Sequence, residues 1–253
     1  ADALQQQIRQ LEELSRVQRR FVSAVSHELR TPLTTVRMAG DILHDERDTF
    51  EPVAARATEL LQAELNRFEG LLADLLEISR FDAGAAGLEL DLIDVVEVAR
   101  RVILNTEPLA EQRRVQVLLL AATPVLVEAD VRRLERIVRN LVTNAIDHAE
   151  GHDVEVRVVG DDQTVALGVR DYGVGLAPGE EVMVFNRFWR ADPARARTSG
   201  GTGLGLAIAS EDARLHGGEL KAWGVKGKGS HFVLTLPRRA EDPLGPSPLE
   251  LSW

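Results

Sequence analysis

The feature that most constrains this chain is a run of apolar residues whose spacing alternates four, three, four, three. Leu61, Leu65, Phe68, Leu72 and Leu75 form it, and Leu60, Leu71, Leu76 and Ile78 widen it. That spacing keeps one stripe on one face of an α-helix and predicts a helix from about Val53 to Arg80. Residues from about Leu4 to His44 read as one long preceding helix, interrupted only at Pro32, with the polar connection HDERDTFEP between the two. Two helices cannot bury so broad a stripe against each other. A hairpin that dimerises into a four-helix bundle would bury it; a hairpin lying on the following domain is the alternative.

The first helix carries its own anomaly, the stretch SHELRTP from Ser26 to Pro32. Proline lacks a backbone N–H and its ring crowds the carbonyl four residues back, so Pro32 leaves the Glu28 carbonyl unpaired and bends the helix. The defect lies close to His27, the side chain type best suited to proton or phosphoryl chemistry near neutral pH.

The 253 residues are enough for two domains, and 44% hydrophobic with 28% charged residues describe an ordinary globular protein. A net charge of −10 argues against a general affinity for nucleic acid or an anionic membrane. With no cysteine there is no disulfide, thiolate nucleophile or cysteine zinc site, which fits the cytosol. No run approaches the roughly 18–20 apolar residues of a membrane span. The chain opens in mid-helix without a methionine, as expected of a fragment whose preceding part is missing.

DAGAAG, Asp82 to Gly87, is a short small-residue linker and the best boundary. Beyond it the pattern is mixed. Val95–Leu104 reads as a helix, Val115–Leu120 as a strand, and Asp130–His148 as a strongly amphipathic helix. Val154–Val159 and Val165–Arg170 alternate as antiparallel strands around GDDQ. Thr202–His216 reads as a helix, and Glu219–Trp223 with His231–Leu236 as a closing hairpin. Grouped strands with helices between them suggest an α+β sandwich. The proline-rich tail after Pro237 is expected to be disordered.

Three segments of this second part share one chemistry. Asn140 and Asn144 lie four apart, so both amides project from one helix face, and neutral oxygen donors suit Mg²⁺ that takes its other oxygens from phosphates. Asp171 in DYGVG ends a strand, where a carboxylate can accept from an exocyclic amine such as that of adenine. Its glycines permit a tight turn and close approach to a ring. SGGTGLGLAI places Gly200, Gly201, Gly203 and Gly205 before an apolar helix, a phosphate cradle. It is neither a Walker A loop nor a Rossmann turn. Between them, VFNRFWRADPARART carries Arg187, Arg190, Arg195 and Arg197, which could meet a γ-phosphate. Taken singly, each segment also fits an ordinary surface or turn. Their order within one domain favours a nucleotide site.

From about Val17 to Pro237 the chain resembles the cytoplasmic core of two-component sensor histidine kinases. FVSAVSHELRTPLTTV resembles the H box, RIVRNLVTNAIDHA the N box, VRDYGVGL the G1 box, VFNRFWRAD the F box and GGTGLGLAIA the G2 box. NAIDHAE and DLLEISRFDAG are similar to an actinobacterial subgroup of these sensors. The resemblance implies a leader over residues 1–16, an all-α dimerisation and histidine phosphotransfer hairpin over 17–83, a Bergerat-type ATP-binding sandwich over 84–237 and a tail over 238–253. It implies His27 as phosphoacceptor, Glu28 as its general base and Thr31 as a phosphatase residue. Asn144 would hold Mg²⁺, with Asn140 near the triphosphate of ATP. Asp171 would read the adenine amine and Gly173 and Gly175 would frame the base. Arg187 and Arg190 would lie in the ATP lid, and Gly201, Gly203, Leu204 and Gly205 would bind phosphates or hinge that lid. The implied partners are a second copy of the chain and a response-regulator receiver domain. No nucleic acid and no membrane contact by this segment are implied, although the full-length protein would sit in the cell membrane.

With that resemblance, Glu28 can accept the imidazole proton as a phosphoryl group arrives, and Thr31, on the same helix face as His27, can orient a water. One departure stands out. The family commonly has a basic and then an aromatic residue at the positions occupied here by Asp147 and His148, which puts an acid where a phosphate-facing cation is expected. Two other readings remain at this level: a non-catalytic dimeric signalling scaffold, and a Bergerat-type ATPase, against which the H box counts.

Overall fold

The computed structural model describes residues 32–191 and 202–251. The chain divides into two compact units, Ala1–Ala86 and Gly87–Trp253, the division falling inside the small-residue run.

The first unit contains α1, helical over residues 32–45, a 3-10 turn at Arg47–Thr49 and α2 at Pro52–Asp82. Pro52 stands in the first turn of α2, where a missing N–H costs nothing. Arg37 pairs with Glu69 at 2.9 Å, Gln62 donates to Asp41, and a Cβ on Gly40 would lie 2.7 Å from Leu65 Cδ1. These contacts run in opposite directions along the two helices and define an antiparallel hairpin. Leu65 is buried against it, whereas Leu61, Phe68 and Leu75 of the same seam are exposed. Phe68 is 52% exposed, which makes this an apolar stripe without cover among the described residues.

The second unit runs β1 (Asp91–Asp94), α3 (Val95–Arg113), β2 (Val117–Leu120), β3 (Leu126–Ala129), α4 (Val131–His148), β4 (Val154–Gly160), β5 (Thr164–Arg170), α5 (Glu180–Met183), α6 (Gly205–Leu215), β6 (Glu219–Val225) and β7 (Gly229–Pro237). Five strands form a mixed sheet in the order β2-β4-β5-β7-β6, and β1 pairs with β3 apart from it. Only β2 and β4 run parallel. Leu134, Ile137, Leu141 and Ile146 of α4 join Val156, Leu167, Phe232 and Leu234 of the sheet in one core. This is the expected sandwich, with helices over one sheet face.

Three local expectations differ from the structure. The helix expected to stop at Leu104 continues to Arg113 although it contains Pro108. Proline normally ends or kinks a helix interior. Here Val102, Thr106 and Ala110 are buried on both sides of it, so burial of one face carries the helix across the missing donor. It ends where Arg114 adopts the left-handed conformation at φ 59°. The short strands β1 and β3 have no counterpart in the sequence reading, because four residues each (DLID and LVEA) carry too little alternation.

The tail is the third difference. Rather than leaving the fold, its residues 245–251 lie on the sheet face opposite the helices. The Thr164 hydroxyl donates to the Pro246 carbonyl at 3.0 Å, and His231 Nδ1 lies 3.2 Å from the Leu251 carbonyl. A Cβ on Gly168 would come 3.2 Å from Leu249 Cδ1. Ala166, Val233 and Thr235 are buried on this face. Proline and leucine suit such a cover, because proline adds no N–H that would need a partner. Composition alone could not reveal it.

Candidate nucleotide site

The site is organised along α4. Asp130 caps its N-terminus, accepting from the amides of Arg132 and Arg133. One face of the helix is core, and its edge carries Asn140 and Asn144, both half-buried. The Asn140 side-chain amide donates to the Gly205 carbonyl at 2.8 Å, which ties the helix to the start of α6. The Asn144 amide has no hydrogen-bond partner among the described residues. One turn further on, the His148 carbonyl accepts from the Val174 amide at 3.1 Å. The eight residues from Asn140 to His148 span about 12 Å at the helical rise. The α6 start therefore lies at one end of this edge and the Asp171 turn at the other.

Asp171 follows β5 directly and is fully buried. Its Oδ1 accepts from the Gly173 amide at 3.0 Å and the Ser230 amide at 3.3 Å. Its Oδ2 accepts from the Ser230 hydroxyl at 2.8 Å. Burial pushes the carboxyl above its usual value, against those hydrogen bonds and the charge of His148. Ser230 did not emerge from the sequence. The only signal was a small hydroxyl just after the glycine turn before β7.

The two glycines of this turn are required by the chain itself. A Cβ on Gly173 would sit 1.8 Å from the His148 carbonyl oxygen, and one on Gly175 2.0 Å from that of Val225. Gly175 also has a φ of +67°, which disfavours any side chain. The close approach expected toward a ligand ring is thus made, in this structure, toward neighbouring backbone.

At the other end Gly203 has a φ of +72°, and its carbonyl accepts from the Phe188 amide at 2.9 Å. That bond joins the aromatic-basic segment to the glycine-rich one. Phe188 itself has a φ of 62° and is exposed, an uncommon conformation for so bulky a residue. Phe185 anchors the same segment edge-on to Phe232, ring centres 6.3 Å apart. Arg187 is exposed and Arg190 half-buried. The Leu204 side chain is fully buried, so any contact of Leu204 with a ligand runs through its main chain.

The acid at Asp147 has a partner. Arg113 of α3 holds it through Nη2 at 2.8 Å and Nε at 3.2 Å, so its charge is matched within the protein. His27, Glu28, Thr31, Gly200, Gly201, Arg195 and Arg197 lie outside the described residues. Among the described residues no group of three or more histidine, cysteine or acidic side chains is placed to hold a metal, and no helix is long and apolar enough to cross a membrane.

A chain that carries a helical hairpin and, as a separate unit, a sandwich with a buried aspartate, an amide-bearing helix and a glycine-rich helix start defines a class: the histidine kinases. Residues 17–84 match the His Kinase A (phospho-acceptor) domain. Residues 129–240 match the histidine kinase-, DNA gyrase B- and HSP90-like ATPase domain. The chain belongs to the sensor histidine kinase family. It is similar in particular to sensor histidine kinase MtrB. It is 56% identical to that of Mycolicibacterium paratuberculosis over 99% of this chain and 45% of the relative. It is 55% identical to that of Mycobacterium tuberculosis over 99% of this chain and 44% of the relative. The chain thus spans about half the length of these relatives. Among solved structures, full-length ShkA in complex with AMPPNP superposes with a TM-score of 0.75 at 27% identity, over 91% of this chain and 47% of that one. The mycobacterial sensor histidine kinase MprB gives 0.51 at 30% identity, over 60% of this chain and 99% of that one.

Proposed function

We propose that this chain is the phosphotransfer core of a dimeric, membrane-anchored sensor. It would move the γ-phosphoryl group of ATP to His27 and then to an aspartate of a response-regulator receiver domain. The observation that carries the proposal is the placement of Asp171, Asn144 and Gly203–Gly205 along one edge of α4, in a chain that also holds the SHELRTP segment.

The chemistry assigns each residue a task. Asp171 has three of its roughly four acceptor positions filled by protein donors, and the adenine amine would take the remaining one. Asn144 would hold Mg²⁺ together with phosphate oxygens; a half-buried amide without a partner among the described residues fits that ion, which would neutralise phosphate charge. Gly203 and Gly205 would offer main-chain N–H groups to phosphate. Arg187 and Arg190 would meet the γ-phosphate charge. At His27, an imidazole nitrogen would form the N–P bond as the P–O bond to the leaving ADP breaks, while Glu28 takes the ring proton. Thr31 would orient water for dephosphorylation of the regulator. The exposed Leu61, Phe68 and Leu75 would be covered by a second hairpin.

The test is labelling from γ-labelled ATP. A label stable to base and labile to acid is expected in the native chain and lost in His27→Gln, with ATP binding retained because the two sites lie in different units. A label that persists in His27→Gln would overturn the assignment. Mixed dimers of His27→Gln and Asn144→Ala chains would decide whether transfer stays within one subunit.

A further inference from the structure

The contacts between α4 and α6 form a ladder of polar rungs that continues to the first residues of the second unit. At the top, Asn140 donates to Gly205. In the middle, Arg136 grips Asp212 through Nε and Nη2, each at 2.7 Å, and Arg133 Nη1 adds a third contact at 2.7 Å. At the bottom, the Asp130 amide donates to His216 Nε2 at 3.0 Å, while His216 Nδ1 donates to the Asp212 carbonyl at 2.7 Å. Residue numbers rise on one helix as they fall on the other, so the two helices are antiparallel and any slip of α6 along α4 breaks every rung.

Asp212 is fully buried, and a buried ionic cluster is a poor way to gain stability, since apolar residues of similar size often do as well. Arg136 alone already supplies a two-point grip on both carboxylate oxygens. Arg133 is therefore surplus to the pairing of Asp212. What it adds is reach: its Nε donates to the Gly87 carbonyl at 3.0 Å. Next to it, the Glu89 amide donates to Asp130 Oδ2 at 3.0 Å, and Arg132 pairs with the Glu89 side chain. The opening residues of the unit are thus fastened to the same helix end that holds α6.

We infer that Arg133 is a positioning residue that joins α6, whose start forms the phosphate end of the site, to residues 87–89. Nucleotide occupancy is then felt where the unit begins. The inference rests on the nucleotide reading of the site given above. A nucleotide that orders Gly203–Gly205 fixes α6, α6 fixes Asp212, and the Arg133 fork fixes the Gly87 carbonyl. Methionine in place of Arg133 keeps much of the stem and leaves Asp212 paired to Arg136, so the fold should persist. Lysine keeps the charge but not the two-armed geometry.

Hydrogen exchange over residues 87–90 of the full chain, with and without Mg²⁺–AMPPNP, tests this. The Glu89 amide is a direct reporter. In the native chain the nucleotide should slow exchange there at least about fivefold, the lower end of ordinary coupling between sites. R133M and R133K should bind AMPPNP within about threefold of native, as expected for changes remote from the ligand, and should lose the slowing. Slowing that persists in both variants overturns the inference, as does a native chain that binds AMPPNP without slowing; either result leaves the nucleotide reading standing. A native chain that fails to bind AMPPNP in calorimetry overturns both.

Discussion

The hydroxyl of Ser230 and the carboxylate of Asp171 face each other at 2.8 Å, both residues buried. They sit at the joint of β5 and β7, where the Asp171 amide also donates to the Ser230 carbonyl at 2.9 Å. Ser230→Ala removes one donor from a buried carboxylate. It should cost about 1–3 kcal/mol of stability, read by urea unfolding, and should weaken nucleotide binding in the same variant.

Asp171→Asn separates recognition from stability. Losing a hydrogen bond to a charged acceptor should weaken ATP binding by roughly ten- to a hundredfold. Stability should move the other way at neutral pH. A carboxyl raised by burial above its usual value stabilises the fold only in its protonated form, and that contribution disappears as pH rises through the folded value. Equal ATP affinity in calorimetry would remove Asp171 from the site.

Gly173→Ala is expected to be among the most damaging single-methyl changes in the second unit. The added carbon would meet the His148 carbonyl oxygen at 1.8 Å, and both partners are backbone. Overpacking of this kind costs about 1–3 kcal/mol or more. Thermal unfolding checks it, and an unchanged melting temperature would mean the end of α4 can move aside.

The pH profile of unfolding should report His216. Its ring accepts from Asp130 on Nε2 and donates from Nδ1, so the neutral form is required. Burial lowers its pKa from 6.5, the Asp212 hydrogen bond opposing. A depressed histidine contributes stability that is full above the unfolded value and is lost as pH falls through the folded one. Melting should therefore drop as pH goes below about 6.5, and His216→Gln should flatten the drop. Part of it will remain, because burial lowers His231 as well.

How much of this was legible beforehand depended on whether the signal was local. The α4 boundaries follow from Asp130 and a clean apolar period, and the antiparallel pair β4–β5 from its alternation. The three segments of the candidate site stood out by residue type. Ser230 did not, because its importance comes from a partner fifty-nine positions away. The partner of Asp147 was hidden for the same reason: its charge is answered by Arg113 on another helix, which no spacing along α4 reveals. Pro108 and the tail show the opposite error, in which a correct local rule was overruled by what the segment covers.

The tail bears on where this catalytic unit ends. Thr164, Ala166, Val233 and Thr235 are small or short, and they make a shallow floor that residues 245–251 roof over. A version cut after Pro237 would keep every strand of the described residues, Asn144 and the Asp171 turn, yet it would open a second, smaller interior to water. For this chain, residues 245–251 are a wall of the building.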